Sequence, residues 1–380
     1  MKRVSNYISV VIVTFTEPHA HRLQESVLFF QHQMIMILII EIRERKKVKK
    51  HNTTMKMMTA AMLVIVMAML AGCGSSKEAN TGNQGSAPES ATTPEVEETR
   101  TIAHAMGNTD IKGTPARVVV LTTQGTETLL ELGIKPVGAV QSWIGDPWYD
   151  HIADQMEGVE IVGDETQPNM ELIASLQPDL ILGTKVRQEK IYSQLSAIAP
   201  TVFTENLGDS MIENFTLFAS ALNKEEEGAK ALAGFEKLVE ETAAKLGDKT
   251  QAEVSLARFQ AGKARVYYKQ NFAGVVLDKL GIARTEAQNK PEFAEEITKE
   301  QISVLDGDAL FYFASDRDGE TAAADTAKEW LADPIARNMK VNGNGQIYQV
   351  DEAIWNSAGG ILAAKLLVAD IEKYFTNIQR

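Results

Sequence analysis

Short apolar runs alternate with segments of helical hydrophobic spacing from about residue 117 to residue 375. The runs predict eight buried strands: Arg117–Leu121, Val137–Val140, Leu180–Leu182, Thr201–Phe203, Val254–Phe259, Arg265–Tyr268, Leu310–Phe313 and Ile347–Val350. The helical patterns between them are Glu127–Leu132, Asn169–Leu176, Gln188–Ile198, Gly274–Leu280, Trp330–Arg337 and Gly360–Phe375. Strands and helices that alternate at this spacing predict βαβ units and parallel sheets, which is an α/β fold.

A longer helical pattern divides the body of the chain into two lobes. Residues 223–247 carry apolar side chains such as Leu232 and Phe235 at helical spacing, and they predict one helix about 36 Å long. We therefore place an N-terminal lobe at 99–222, this spine helix at 223–247 and a C-terminal lobe at 248–380.

The two lobes share a local sequence pattern. LLELGI at 129–134 precedes ELIASLQPDLI at 171–181, and LDKLGI at 277–282 precedes EQISVLDGDAL at 300–310. The pattern aligns Glu171 with Glu300. It also aligns Asp179 with Asp308, and we interpret these two aspartates as turn residues at strand starts. Two lobes of like design that are joined by one helix leave a cleft, and small ligands bind in such clefts.

The segment before the lobes predicts export. Thr59–Leu70 is an apolar run of signal-peptide length, and it ends in Leu-Ala-Gly-Cys73, which contains the single cysteine of the chain. This ending resembles the bacterial lipobox, in which the cysteine is lipidated. The alternative is a buried helix with an inert thiol, but the polar tract after Cys73 disfavours it. We predict a lipoprotein signal peptide at 55–72, lipidation of Cys73 and a flexible tether at 73–98.

The residues before the predicted signal peptide are unusual in number, and they are either translated upstream sequence or a long basic n-region of the signal peptide. Residues 1–54 contain a nine-residue apolar stretch at 34–42, which is too short to span a bilayer because a spanning helix needs about 20 residues. We interpret 1–54 as an N-terminal extension that is not native, with Met55 as the start.

Charge and histidine content narrow the function classes. Residues 1–72 hold ten of the 38 Lys and Arg and four of the 51 Asp and Glu, which leaves 28 basic and 47 acidic residues from Cys73 onward. So acidic a body argues against nucleic acid as a partner. Only His104 and His151 lie in this part, and a site for bare transition metal ions normally needs a histidine and carboxylate cage. We therefore predict no metal ligands from the protein.

Four segments, in this order, resemble the iron–siderophore binding proteins of ABC importers, a periplasmic-type class with a rigid helical spine. They are the lipobox and residues 126–138, 169–181 and 351–360, and the resemblance spans about Thr101 to Phe375. It implies two Rossmann-like lobes with parallel sheets, joined by the spine helix. It also implies capture of a ferric siderophore between the lobes and its delivery to an ABC permease for iron uptake.

The resemblance extends to the setting of the protein. Residues 265–269 and 351–360 are most similar to Gram-positive lipoproteins that take up ferric hydroxamate or citrate-type siderophores. This similarity implies a monomer that is lipid-anchored on the extracellular face of the cell membrane. The iron would arrive already chelated, so the protein would need no cofactor.

In this family a glutamate on each lobe docks against arginines of the permease, and those positions fall on Glu171 and Glu300. The alternative is structural: each follows a plausible N-cap, Asn169 or Thr298, and a carboxylate in the first turn of a helix is favoured by about 0.3–1 kcal/mol. A symmetric pair on matched elements favours docking.

An acidic protein can hold an oxygen-rich ferric chelate only through local cations, for which arginine forks are best suited. Loops at the carboxyl ends of strands face the ligand in such lobes. The cationic candidates there are Lys185, Arg187, Arg258 and Arg317, with Arg187 and Arg258 preferred; the alternative is solvated surface charge. The aromatic candidates are Trp143, Trp355 and Tyr267, for which core packing is the alternative.

Two other functions stay open at this point. Cobalamin or haem could bind to the same architecture, and Tyr267 could then be an axial haem ligand. A lipid-anchored extracellular enzyme is the different-class alternative, but the chain has no G-x-S-x-G, P-loop or H-E-x-x-H motif. We therefore predict a binding protein that is not an enzyme.

Overall fold

A computed structural model describes residues 98–316 and 319–378 of the 380-residue chain. The predicted extension at 1–54, the signal peptide at 55–72, nearly all of the 73–98 tether, Cys73 and Arg317 lie outside the described residues.

The N-terminal lobe is built on a five-stranded sheet that is parallel throughout. An antiparallel hairpin precedes it, formed by β1 (Thr99–His104) and β2 (Gly107–Lys112). The sheet has the order β5-β4-β3-β6-β7, and its strands are β3 (Val118–Val120), β4 (Gly138–Ala139), β5 (Glu160–Ile161), β6 (Leu180–Thr184) and β7 (Thr201–Thr204). Its helices are α1 (Thr123–Glu131), α2 (Met170–Ser175), α3 (Lys185–Gln188), α4 (Tyr192–Ser196) and α5 (Met211–Ala221), with short 3₁₀ turns at 153–156, 189–191 and 208–210.

The spine is α6 (Glu225–Leu246), which has 22 residues and is therefore about 33 Å long. Three glutamates occupy its first turn and Lys245 its last, an arrangement that complements the helix dipole. Phe235 and Val239 are buried on the face that packs against the core.

The C-terminal lobe has a five-stranded mixed sheet in the order β10-β9-β8-β11-β12. Its strands are β8 (Val254–Gln260), β9 (Lys263–Tyr267), β10 (Ala294–Ile297), β11 (Ala309–Ala314) and β12 (Ile347–Gln349). Its helices are α7 (Phe272–Lys279), α8 (Ala322–Leu331), α9 (Pro334–Arg337), α10 (Lys340–Gly343) and α11 (Ile361–Phe375). Short 3₁₀ segments lie at 247–251, 286–288 and 299–305, and a π-helical turn lies at 353–357.

The structure confirms the α/β class, with two differences in the second lobe. Strand β9 pairs antiparallel with both β8 and β10. Only residues 261 and 262 separate β8 from β9, and a parallel connection between them would need a dozen or more. The predicted helix Trp330–Arg337 is divided into α8 and α9. The Asp333 side chain accepts the Ile335 N–H at 2.9 Å and starts the second helix at Pro334.

The repeated pattern forms equivalent structures in both lobes. The Ile134 N–H donates to the Leu129 carbonyl at 2.8 Å, and the Ile282 N–H donates to the Leu277 carbonyl at 3.0 Å. At each helix end, the glycine before the isoleucine has a φ near 70°, and this conformation closes the two helices in the same way. The short helical segments LLELGI and LDKLGI therefore end alike.

Asp179 and Asp308 do more than form turns. The Asp179 carboxylate accepts the Arg117 N–H at 3.0 Å, just before β3. The Asp308 carboxylate accepts the Glu253 N–H at 2.8 Å, just before β8. Each aspartate therefore links the start of its own strand to the start of a neighbouring strand. Asp179 links β6 to β3, and Asp308 links β11 to β8.

Within residues 98–316 and 319–378, none of the helices combines the length and the apolar character that crossing a membrane requires.

Candidate functional site

A cavity of about 550 Å³ opens at the carboxyl ends of the strands. Segments 141–147 and 164–166, which follow β4 and β5, line it from the N-terminal lobe, and Asp316, which follows β11, lines it from the C-terminal lobe. Loops at the carboxyl ends of parallel strands bind ligands in open α/β sheets, and this cavity is the candidate ligand site.

The loop over the cavity is held in one shape by its own backbone. The Ser142 N–H donates to the Pro147 carbonyl at 3.0 Å, and the Ser142 hydroxyl accepts the Tyr149 N–H at 3.0 Å. Gly145 has a φ of 92°, and a Cβ there would lie 2.2 Å from the Trp148 carbonyl oxygen, so the turn requires glycine. This turn presents Trp143, of which 45% is exposed, at the cavity.

Arg187 and Trp143 form a pair on the N-terminal side of the cavity. The guanidinium carbon lies 5.3 Å from the centre of the Trp143 ring, within the range of a cation–π contact. The Arg187 Nε lies 3.5 Å from Glu165 Oε2. Because Nε faces Glu165, the terminal amino groups of Arg187 are the donors left for a ligand. Sequence reasoning named Arg187 and Trp143 but missed Glu165.

Glu165 is a buried carboxylate with two different oxygens. Oε1 accepts the Thr123 N–H at 2.8 Å and the Thr123 hydroxyl at 3.1 Å, at the start of α1. Oε2 has no hydrogen-bond partner among the described residues. Burial raises the pKa of Glu165, and the Thr123 hydrogen bonds, the Arg187 charge and the Trp143 indole oppose that rise.

Arg258 is held by a second buried glutamate in the C-terminal lobe. Its Nη2 lies 2.9 Å from Glu352 Oε1, and its Nε donates to the Ser315 hydroxyl. That hydroxyl donates to Glu352 Oε2 at 2.6 Å. Each lobe therefore pairs one predicted arginine with a buried glutamate, and each pair adjoins the cavity, through Glu165 and Trp143 for Arg187 and through Ser315, next to Asp316, for Arg258. We call Arg187 and Arg258 the cleft arginines.

Polar contacts also join the two lobes beneath the cleft. The Thr123 hydroxyl lies 3.2 Å from the Ser357 carbonyl, and the Gln124 amide donates to the Gly359 carbonyl at 2.9 Å. Glu127 is fully buried; it accepts the Ala363 N–H at 3.0 Å, and it pairs with His151 at 2.5 Å. These bonds fix α1 of the first lobe against the segment that leads into α11 of the second.

Three other predicted ligand contacts lie elsewhere. Lys185 pairs with the exposed Glu205 at 2.7 Å, and we interpret it as a surface cation. Trp355 is fully buried; its ring lies 4.8 Å from Phe311, and its indole N–H donates to Asp370 at 3.0 Å. Trp355 is therefore a core residue, which corrects its assignment to the ligand.

Tyr267 is likewise a core residue. Its side chain is buried, and its ring packs against Phe293 and Phe313 with centroid separations of 5.7 and 5.8 Å. The structure therefore corrects the prediction that this ring contacts the ligand.

Arg265 is a cation that sequence reasoning did not select. It lies directly opposite Arg258 on the neighbouring strand, so the two side chains share one face of the sheet. Arg265 is half-buried, and it has no ion-pair or hydrogen-bond partner within 98–316 and 319–378. The two-residue connection between β8 and β9 is the signal that could have identified it, because a hairpin there places Arg265 opposite Arg258.

Glu171 and Glu300 are exposed on matched elements of the two lobes. Glu171 lies in the first turn of α2, where Asn169 accepts the Leu172 N–H at 3.1 Å. Glu300 lies in the first turn of the 3₁₀ segment that Thr298 caps. Hydrogen bonds from its own backbone N–H and from Thr298 lower the pKa of Glu300. Both carboxylates are accessible to a partner.

The sequence that forms these two lobes matches a known protein family. The model of the family described as "Periplasmic binding protein" matches residues 118–354, which is more than half of the chain. The chain belongs to the periplasmic binding protein family. Members of this family bind substrates for transport.

Several proteins are similar to this chain over nearly their whole length. The probable siderophore-binding lipoprotein YfiY of Bacillus subtilis is 46% identical over 331 residues, which are 84% of this chain and 99% of YfiY. The Fe(3+)-citrate-binding protein YfmC of B. subtilis is 33% identical over 84% of this chain and 97% of YfmC. The crystal structure of Staphylococcus aureus SirA complexed with staphyloferrin B superposes with a TM-score of 0.68 at 35% identity and covers 74% of this chain and 99% of SirA.

Proposed function

We propose that this protein captures a ferric siderophore in the cleft between its lobes and delivers it to an ABC permease for iron uptake. The observation that carries the proposal is the cavity between the lobes: its lining residues Trp143 and Glu165 contact Arg187 on one lobe, and on the other Arg258 donates to Ser315, which precedes the lining residue Asp316. Arginine forks and an exposed indole suit a chelate whose surface offers oxygen atoms and an apolar scaffold.

The chemistry of the ligand follows from the donors available. Arg187 keeps its terminal amino groups free of hydrogen-bond acceptors, and Arg265 has no partner in the part of the chain that the structure describes. Both can donate to carboxylate, hydroxamate or catecholate oxygens that already coordinate iron. The names of YfiY, YfmC and SirA with staphyloferrin B support a ligand of this kind.

A fluorescence titration of the protein from Cys73 onward tests the ligand class. The probes are ferric citrate, ferrichrome, ferric staphyloferrin B, ferri-bacillibactin, haemin and cobalamin. We expect quenching at micromolar or lower concentration by at least one ferric siderophore and none by cobalamin. Binding of haemin or cobalamin alone would replace the proposal with the corresponding alternative.

Delivery is proposed to use Glu171 and Glu300 as contacts for permease arginines. The double variant Glu171→Ala with Glu300→Ala should bind ferric chelate with unchanged affinity, while cells that carry it lose uptake of radiolabelled iron. A matched double variant, Glu236→Ala with Glu240→Ala on the exposed side of α6, controls for the loss of two acidic charges. Normal uptake by the Glu171 and Glu300 variant would remove the docking role.

Attachment is proposed to occur through a lipid on Cys73, on the extracellular face of the cell membrane. YfiY is named a lipoprotein, and the Leu-Ala-Gly-Cys73 ending provides the acceptor. Cys73→Ser should abolish incorporation of labelled palmitate and release the protein from the membrane fraction. Retention of label in this variant would contradict the assignment.

A further inference from the structure

The two cleft arginines are charge-compensated in the same way, although they lie in different lobes. Arg187 faces Glu165, of which 2% is exposed, and Arg258 faces Glu352, of which 7% is exposed. Glu165 lines the cavity beside Arg187, and Glu352 lies against Arg258 and Ser315, next to the cavity residue Asp316. Both carboxylates are buried, where water screens their charge poorly, so a ligand that enters the cleft meets guanidinium groups whose positive charge is offset by an adjacent carboxylate.

We propose that Glu165 and Glu352 are specificity-determining residues, which restrict the cleft to ferric chelates of low net negative charge. The inference rests on the proposed function and deepens it by naming the charge class of the substrate. The glutamates leave the directional donors of the arginines in place and remove the net attraction that would favour the most anionic chelates.

The charge of Glu165 is not required at the start of α1. Glu165 Oε1 already satisfies the Thr123 N–H and hydroxyl at the start of α1, a contact that a glutamine carbonyl would also make. Oε2 contributes no hydrogen bond among the described residues and lies 3.5 Å from Arg187. A neutral amide would serve the helix start equally well, so the negative charge itself has a role at the cleft.

The other carboxylates of the cavity bind backbone amides or solvent. Asp164 accepts the Thr166 N–H at 2.7 Å and the Gln167 N–H at 2.9 Å. Asp316 accepts the Ala323 N–H at 2.7 Å, and Asp146 is exposed. Glu165 and Glu352 therefore differ from them, because their charges are buried and are directed at the cleft arginines.

The charge effect and the positioning effect of each glutamate have opposite signs. Loss of the ion pair frees the arginine side chain and lowers affinity for every chelate. Loss of the negative charge strengthens binding by an amount that grows with ligand charge, about thirtyfold per unit of charge at about 8 Å and an effective dielectric constant of about 20. The comparison of an anionic with a neutral chelate separates the two effects.

The test uses Glu165→Gln and Glu352→Gln in the protein from Cys73 onward, at about pH 8. The anionic probes are ferri-bacillibactin, a tris-catecholate, and ferric citrate; ferrichrome, a tris-hydroxamate, is the neutral probe. Glu236→Gln on the exposed side of α6 removes the same charge from the protein as a whole. Urea denaturation reports whether each variant is folded, and the two glutamates lie in separate lobes, so either variant suffices.

We expect the ratio of the affinity for an anionic probe to the affinity for ferrichrome to be at least about tenfold higher in each cleft variant than in Glu236→Gln. A ratio that stays equal or falls overturns the inference, while wild-type binding of any probe leaves the proposed function standing. Failure of the wild-type protein to bind any of these ferric chelates overturns both.

Discussion

Removal of the Arg258 side chain should destabilise the ligand-free protein. Arg258→Ala leaves Glu352, which is 7% exposed, without its partner at 2.9 Å. Truncation of one partner in a fully buried ion pair costs about 3–5 kcal/mol. Here a quarter of the Arg258 side chain is in solvent, and Ser315 still donates to Glu352. We therefore expect a loss of about 2–3 kcal/mol in the free energy of unfolding.

Lys185→Ala is the matched control for this prediction. Lys185 and Glu205 are 2.7 Å apart, closer than the Arg258 pair, but 59% of the Glu205 side chain is exposed. Exposed pairs contribute about 0–1 kcal/mol, so the control should unfold almost like wild type. Urea denaturation monitored by circular dichroism measures both, provided that the m-values agree.

The double variant Arg258→Ala with Glu352→Gln completes the cycle. Glutamine removes the stranded charge and keeps an acceptor for Ser315, so we expect recovery to within about 1 kcal/mol of wild type. Equal losses of unfolding free energy in Arg258→Ala and Lys185→Ala, or no recovery in the double variant, would show that the burial of Glu352 does not determine the cost of removing Arg258.

Three further predictions concern the site and the core. Arg187→Ala should weaken ferric chelate affinity by about 1–3 kcal/mol through loss of a charge-assisted bond, and an unchanged titration would remove Arg187 from the site. Trp355→Phe should lower the free energy of unfolding by about 1–3 kcal/mol, because the Asp370 hydrogen bond and ring volume are lost, while chelate affinity stays within about twofold; a large change in affinity would contradict its core assignment. Burial raises the pKa of Glu165 in the folded protein. The stability that this raised pKa contributes is therefore fully present below about pH 4.5, where the carboxyl is protonated in both states, and it is lost as the pH rises through the folded pKa. The stability of Glu165→Gln relative to wild type should therefore increase between about pH 4 and pH 8 in urea denaturation, and a constant difference would contradict the raised pKa.

The fold could be predicted because burial along this chain follows local rules. Val118–Val120 is entirely buried between two helix layers, and a parallel strand of this kind has to appear as an uninterrupted apolar run. The pairing of β9 beside β8 is the exception. Their two-residue connection was a usable signal, but the apolar content of Arg265–Tyr268 carries no information on strand direction.

Trp355 shows why the site was only partly predictable. Asp351, Glu352, Asn356 and Ser357 flank it, and a tryptophan among polar residues suggests an exposed loop. In the structure Glu352, which precedes the turn at 353–357, is itself buried, because Arg258 of β8 compensates its charge. Polarity in sequence predicts exposure only when no distant partner balances the charge, and such partners are not visible in a local pattern.

Arg187 and Trp143 were predictable for the opposite reason. Trp143 follows β4 and Arg187 follows β6, the two strands on either side of β3, and loops at the carboxyl ends of parallel strands come together at one edge of the sheet. Glu165 lies in the same set of loops and was accessible to the same reasoning. Glu165 was not among the predicted ligand contacts, because only cations and aromatic side chains were expected to face an oxygen-rich chelate.

An acidic protein that binds oxygen-rich chelates does not need a positive cleft. A guanidinium carries five N–H donors, and Ser315 and Glu352 engage the Nε and Nη2 groups of Arg258 while other donors stay available. Glu165 likewise faces only the Nε of Arg187. Each buried glutamate thus fixes the direction in which the remaining donors point. Recognition then depends on where the chelate places its oxygens, since the glutamates offset much of the long-range attraction that an unpaired arginine would exert on any anion.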